Sequence, residues 1–178
     1  GVSRIHGPGM TSEEARSRAR ALFLDDERRF GCAETTFIVL KEAFGLPDTG
    51  AAGPAMALNG GVAWSGGLCG AISGAALAVG SLAEHRHSDR SAAKTIARTT
   101  VARLMADFER THGSIDCRAL IGCAIASPDE HAAFISGGRW RVVCMSQIEW
   151  VVGRLAEPSG DVEFAATGDA APLADPSG

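Results

Sequence analysis

The stretch Gly66-Gly67-Leu68-Cys69-Gly70-Ala71-Ile72-Ser73-Gly74 sets a cysteine among glycines and opens an apolar run that continues to Leu82. No Asp, Glu, Lys or Arg occurs from Thr49 to Ala83. Four small residues fall four positions apart and so share one helix face: Gly66, Gly70, Gly74 and Ala78. Such a face lets another helix or a bulky cofactor come close, and the pattern favours neither. We predict a buried helix that begins near Cys69.

The composition indicates one acidic globular domain. The chain has 178 residues, of which 46% are hydrophobic, and its net charge is -4. No basic stripe is present to neutralise phosphates, so we expect no nucleic-acid partner. The uncharged run is broken by Pro54 and by glycine pairs, so we expect a core helix and no stable membrane insertion. We place the domain at residues 10–157, with a tag or disordered arm at 1–9 and a disordered tail at 158–178.

Cysteine usage points to a reducing compartment. Five cysteines are few for a secreted disulfide scaffold of this length, and an odd number leaves one unpaired. No signal-peptide pattern opens the sequence. We therefore expect a cytoplasmic protein, where several cysteines more often serve metal or redox chemistry than structural bridges.

Helical periodicity predicts an all-α fold, a compact bundle of five or six helices without strands. The expected helices are Thr11 to about Arg29, Cys32 to about Phe44, a short one over 54–59, one from Cys69, Ser91 to Thr111, a short one from Cys117, and Trp140 to Ala156. We read residues 84–90 as an exposed charged loop, and we favour this reading over a metal-binding pair formed by His85 and His87. We read the segment from Cys123 to Gly138 as a second loop.

Three cysteines, Cys32, Cys69 and Cys117, each open a predicted helix. There the helix dipole and free N–H groups stabilise a thiolate, so we expect lowered pKa values. Cys144 is expected to project from the body of the last helix toward the core. Four converging thiolates have the ligand count of an iron–sulfur cluster or a zinc site. The spacing is not diagnostic, because no Cys-x-x-Cys occurs and any one of these cysteines also fits a small buried hydrophobe.

Together these segments resemble the family of redox-active proteins named for its C_GCAxxG_C_C cysteine arrangement. The matching segments lie in family order between Ala15 and Leu155: Gly31-Cys32-Ala33, Cys69-Gly70-Ala71-Ile72-Ser73-Gly74, Gly113-Ser114-Ile115-Asp116-Cys117-Arg118-Ala119-Leu120, and Cys144. A related module occurs in split-Soret cytochromes, where the cysteines are associated with an iron–sulfur centre. This chain lacks the Cys-x-x-Cys-His motif that attaches haem.

The resemblance implies a site as well as a family. By resemblance, Cys32, Cys69, Cys117 and Cys144 become the metal-ligand candidates, with Gly70 beside them in the cofactor site. Cys123 lies outside the pattern; it is a spare ligand, a resolving thiol or a core residue, and we favour the core.

Four functions fit this reading. The first is electron transfer or redox sensing by an iron–sulfur protein, with [2Fe–2S] favoured over [4Fe–4S]. The second is a metal-free thiol–disulfide protein. The third is an enzyme whose cluster has an open iron or donates sulfur, with four polar groups expected nearby: Glu34, Asn59, Trp64 and His112. The fourth is a structural zinc site. The expected partner is a redox protein or a small-molecule substrate, and both enzymatic activity and a homodimer stay open.

Overall fold

The computed structural model describes residues 10–156, and this part of the chain is all-α. Its helices are α1 (Ser12–Phe23), α2 (Cys32–Ala43), α3 (Gly70–Arg86), α4 (Arg90–His112), α5 (Cys117–Ile121), α6 (Pro128–Gly137) and α7 (Val143–Ala156), with 3₁₀ turns at Gly53–Leu58 and Arg139–Arg141. The disordered arm and tail predicted for residues 1–9 and 158–178 lie outside the described residues. No helix between residues 10 and 156 has the length and apolar character needed to cross a membrane.

The bundle is organised around α2 and α3, which pack extensively on each other. α4 also packs on α3, and α7 packs on both α1 and α2. A Cβ atom on Gly74 would overlap the carbonyl oxygen of Ala33. The small-residue stripe of α3 therefore does serve close helix packing, and the partner backbone is the start of α2.

Helix α1 begins as predicted but ends early. Thr11 caps it, since its Oγ1 accepts the Glu14 N–H at 3.1 Å. Four apolar residues at helical spacing are all buried, namely Ala15, Ala19, Leu22 and Phe23. The predicted end near Arg29 is wrong, because the charged residues after Phe23 form a turn in which Arg28 has a φ of 53°. Its N–H donates to the Asp25 carbonyl at 2.9 Å.

The loop predicted between Cys123 and Gly138 is wrong, because most of it is helix α6. Ser127 and Glu130 form a reciprocal capping box: the Ser127 Oγ accepts the Glu130 N–H at 3.1 Å, and the Glu130 Oε1 accepts the Ser127 N–H at 3.0 Å. Pro128 occupies the first helical position, where its missing N–H costs nothing. The capping residues can be seen in the sequence, but no residue of α6 is buried, so no buried apolar face accompanies them.

Two other boundaries also differ from the predictions. The charged loop expected at residues 84–90 is shorter, because α3 continues to Arg86 and α4 begins at Arg90. The last helix begins at Val143 rather than Trp140, because Arg139–Arg141 forms a separate 3₁₀ turn. Trp140, at the centre of this turn, is buried.

Residues 60–64 form a left-handed turn. Every residue of Gly60-Gly61-Val62-Ala63-Trp64 has a positive φ, between 51° and 73°. Three of them carry a Cβ atom, and this conformation costs roughly 1–2 kcal/mol for each such residue. The Gly66 and Gly67 N–H groups close the turn by donating to the Gly60 and Gly61 carbonyls at 3.0 Å. The turn joins the first 3₁₀ segment to the glycines that precede Cys69.

Candidate functional site

The four cysteines of the pattern lie at the starts of four different helices. Cys32 is the first residue of α2, Cys69 caps α3, and Cys117 is the first residue of α5. These three positions are confirmed. Cys144 is the second residue of α7, so its predicted place in the helix body is wrong. The common placement follows from the local sequence. Gly31 precedes α2 and Asp116 precedes α5, the pair Gly66-Gly67 lies shortly before Cys69, and the Arg139–Arg141 turn precedes α7.

These four thiols, which we call the four-thiol site, act on one another electrostatically. Negative charge on Cys32, Cys69 or Cys117 raises the pKa of Cys144, and charge on Cys32 or Cys117 does the same for Cys69. Negative charge on Cys32 also raises the pKa of Cys117. Residues far apart in the chain thus share one neighbourhood. Among residues 10–156, no three His, Cys, Asp or Glu side chains are grouped tightly enough to hold a single metal ion.

Backbone pairing fixes Cys69 beside Cys117. The Cys69 N–H donates to the Ile115 carbonyl at 2.8 Å, and the Cys117 N–H donates to the Gly67 carbonyl at 2.7 Å. Leu68 and Asp116 form an antiparallel bridge between these two bonds. Two segments without a strand pattern thereby hold two cysteines side by side.

Gly70 lets Cys32 occupy the space where a side chain of α3 would lie. A Cβ atom on Gly70 would overlap the Cys32 sulfur and would come within 3.1 Å of the Ala33 nitrogen. The sequence singled out Gly70 as part of the site, and the structure places it against one of the four thiols.

Asn59 and Glu34 form a fixed polar network at the start of α2. The Asn59 Oδ1 accepts the Ala33 N–H at 2.9 Å, and its Nδ2 donates to the Glu34 Oε1 at 2.6 Å. Glu34 also accepts the Gly31 N–H at 3.0 Å. The Cys32 sulfur lies 3.9 Å from the Asn59 Oδ1. Two of the four polar groups expected near the site are therefore present there, and both are occupied in capping α2.

The other two polar groups make their contacts elsewhere. Trp64 stacks on His131 of α6, with ring centroids 3.7 Å apart. His112 ends α4, where it stacks on Phe108 at 4.2 Å and its Nδ1 lies 3.2 Å from the Phe108 carbonyl oxygen. The structure assigns neither ring to the four-thiol site.

Gln147 is a residue of the site that was not predicted from the sequence. It is 5% exposed on α7, one turn after Cys144, and its Oε1 accepts a hydrogen bond from the Cys69 Sγ at 3.6 Å. The available signal was a polar residue on the buried side of an apolar helix. Its partner is 78 positions away in the chain, so the sequence did not indicate the contact.

Burial raises the pKa of every thiol in the site. It raises that of Cys117 to about 12, and those of Cys32, Cys69 and Cys144 are raised as well. The predicted lowering at helix starts is wrong, because loss of hydration outweighs the N–H groups that face Cys32 and Cys69. In the absence of a metal, these thiols are protonated at neutral pH and are weak nucleophiles.

Cys123 is half-buried beside the site. It packs on a small cluster formed by Cys117, Ile121 and Ile125. Negative charge on Cys123 raises the pKa of Cys117. The contacts of Cys123 with this apolar cluster agree with the core role favoured from the sequence.

Comparison with known proteins identifies the family. The family model described as "Putative redox-active protein (C_GCAxxG_C_C)" matches residues 30–157. No curated protein and no solved structure matches the chain. The matched segment includes all four helix starts that carry the four-thiol site. The chain therefore belongs to the C_GCAxxG_C_C family of redox-active proteins.

Proposed function

We propose that Cys32, Cys69, Cys117 and Cys144 hold an iron–sulfur cluster, with [2Fe–2S] favoured, and that the protein transfers electrons or senses redox state. The observation that carries the proposal is the common neighbourhood of four thiols at four helix starts, of which Cys69 and Cys117 are buried and Cys32 and Cys144 are half-buried. Four cysteine thiolates are the usual ligand set of such clusters, which supply one-electron redox chemistry when bound. The residues present therefore fit the group.

The electrostatics of the site favour a cation. Thiolates at these positions are poorly hydrated and repel one another, which is why the pKa of each is raised. Arg139 lowers the pKa of Cys144, but its effect is smaller than that of burial. A metal deprotonates the thiols that coordinate it and supplies the missing positive charge. The arrangement is thus unfavourable for free thiolates and suited to metal-bound ones.

Two alternatives receive less support. A structural zinc ion would use the same thiolates but has no redox chemistry, whereas the family to which the chain belongs is described as redox-active. Thiol–disulfide exchange needs an attacking thiolate, and the raised pKa values oppose its formation.

An enzymatic role through Glu34 is also less favoured. Its Oε1 accepts hydrogen bonds from the Gly31 N–H and the Asn59 Nδ2. Glu34 is 7% exposed. A carboxylate held in this way serves to cap α2, so electron transfer or sensing remains the function that the site supports best.

Purification without oxygen tests the proposal. Iron, acid-labile sulfide and zinc per chain are measured together with the visible absorption spectrum. We expect iron and sulfide in equal amounts and a coloured protein that bleaches on reduction. A colourless protein with four reactive thiols would overturn the proposal, and zinc without iron would replace it with a structural metal site.

A further inference from the structure

We propose that the surface formed by Arg28, Arg139, Arg141 and Val142 is the docking site of an acidic redox protein. We call this surface the cationic face. A single electron leaves the four-thiol site for the oxidised partner seated there, and no bond forms or breaks. The inference rests on the function proposed above in one respect, namely that the site holds a redox centre.

The cationic face is built around the ring of Trp140. The Cζ atom of Arg28 lies 4.2 Å from the ring centroid, and that of Arg141 lies 4.6 Å from it. Trp140 is buried, whereas both arginines are exposed. Burial and then the charge of Arg141 lower the pKa of Arg28. Contact with one ring thus fixes two like charges close together, which favours a negative partner.

The carboxylates of the chain leave this charge uncompensated. Within residues 10–156, none of the three arginines of the cationic face forms an ion pair. No Asp or Glu occurs from His131 to Ile148. Asp25 and Glu27, which are close to Arg28 in the chain, both pair with Arg29. The face is therefore positive on a chain whose net charge is -4.

Val142 indicates that the occupant is a protein rather than a small anion. It is 73% exposed, more than any other large hydrophobic residue in the described part of the chain. It follows Arg141 directly, and its N–H donates to the Arg139 carbonyl at 3.1 Å. An apolar centre with a polar rim is the usual anatomy of a protein–protein interface. An inorganic anion would gain nothing from the valine.

The cationic face adjoins the site at Cys144. This thiol is half-buried and lies two positions after Val142. The charge of Arg139 is near enough to oppose the effect of burial on the pKa of Cys144. A protein seated on the face is thereby placed beside one of the four ligand candidates.

Three variants test the face. Arg139→Gln combined with Arg141→Gln removes two of its charges. Lys94→Gln combined with Arg98→Gln is the matched control, because it changes the net charge equally at two exposed positions of α4. These positions are near the end of α3 that lies opposite the four-thiol site. Val142→Glu places an acid within the face at an exposed position, where no packing is lost.

The first measurement is electron transfer from the reduced, iron-loaded protein to an acidic haem protein, soluble cytochrome b5. Stopped-flow absorption follows the rate as the salt concentration is raised. We expect the wild-type rate to fall with salt, because salt screens the attraction to the face. The arginine pair and Val142→Glu should each lower the rate at low salt by about tenfold, and the control pair should leave it unchanged. A wild-type rate that rises with salt, as the net charges of the two proteins imply, would overturn the inference.

The second measurement is the dissociation constant of the same two proteins, both oxidised, from titration calorimetry of the full chain. We expect the arginine pair to weaken binding several-fold and the control pair to leave it unchanged. Equal dissociation constants for the two pairs would refute the cationic face. Tighter binding of a single-stranded DNA oligonucleotide would also refute it, in favour of a nucleic acid. A wild type that contains no iron would refute the proposed function, and the calorimetry would still decide the docking surface.

Discussion

Gly70 of α3 lies against Cys32 of α2 so closely that a Cβ atom on the glycine would overlap the cysteine sulfur. The contact joins the two central helices at the point where one thiol of the site is held. Helix packing and the geometry of the site therefore both depend on the absence of a side chain at Gly70.

We expect Gly70→Ala to lower the free energy of unfolding by about 1–3 kcal/mol, the usual effect of overpacking, and to reduce iron loading. Gly80→Ala is the control on the same helix, because a Cβ atom there meets nothing within 4 Å. That control should raise stability by about 0.5–1 kcal/mol. Urea unfolding of both variants checks the prediction, and equal effects would contradict it.

The raised thiol pKa values predict a stability loss in alkali. In the unfolded chain a cysteine titrates near 9.0, whereas Cys117 in the folded protein titrates at about 12. The unfolded chain therefore loses its protons first, and ionisation favours unfolding. The contribution of these thiols is fully present below the unfolded pKa and is lost as the pH rises through the folded pKa.

Urea unfolding of the reduced, metal-free protein at several pH values above neutrality measures this loss. We expect the unfolding midpoint to fall once the pH passes about 9. Cys117→Ala should decline less steeply than the wild type, because one of the shifted groups is gone. A midpoint that is independent of pH would show that the thiols are not desolvated in solution.

The Asn59–Glu34 bond predicts a pH-dependent defect. Asn59→Asp replaces the donor to Glu34 with a second carboxylate at the position now 2.6 Å from the Glu34 Oε1. We expect a loss of about 1–3 kcal/mol at neutral pH, with partial recovery in acid as one carboxyl takes up a proton.

A double-mutant cycle separates this repulsion from loss of the cap. Glu34→Gln combined with Asn59→Asp restores one donor and one acceptor, so the pair should be more stable than the sum of the single changes implies. Strict additivity of the measured unfolding free energies would contradict a direct interaction.

Cys123 and Cys144, which are both half-buried, are expected to differ in function. Cys144 belongs to the four-thiol site, whereas Cys123 packs on the adjacent apolar cluster. Cys144→Ser should lose most bound iron and the visible absorption of the anaerobic protein, and Cys123→Ser should retain both. Loss of iron from Cys123→Ser alone would reassign the ligand set.

Much of the fold could be predicted because burial follows the apolar period of most helices. Ala15, Ala19 and Leu22 illustrate this in α1, where they recur at helical spacing and all three are buried. Helix α6 has no buried residue, so no apolar period was available to indicate it. The sequence indicates this helix only through the capping residues Ser127 and Glu130.

The site was predictable in position but not in electrostatics. Local start signals placed Cys32, Cys69 and Cys117 at helix N-termini. The direction of their pKa shifts depends on how much water the other helices remove, which is a property of the assembled bundle. The contact of Gln147 with Cys69 is equally non-local.

The distribution of the four thiols over four helix starts has a consequence for the order of folding. Contacts between residues as distant as 32 and 144 form slowly, because a long loop must close before they contribute. A growing chain that ends before α7 contains three of the thiols and lacks the segment that completes their surroundings. Completion of the four-thiol site therefore requires that α7, the last helix of the bundle, has docked on the helices that precede it.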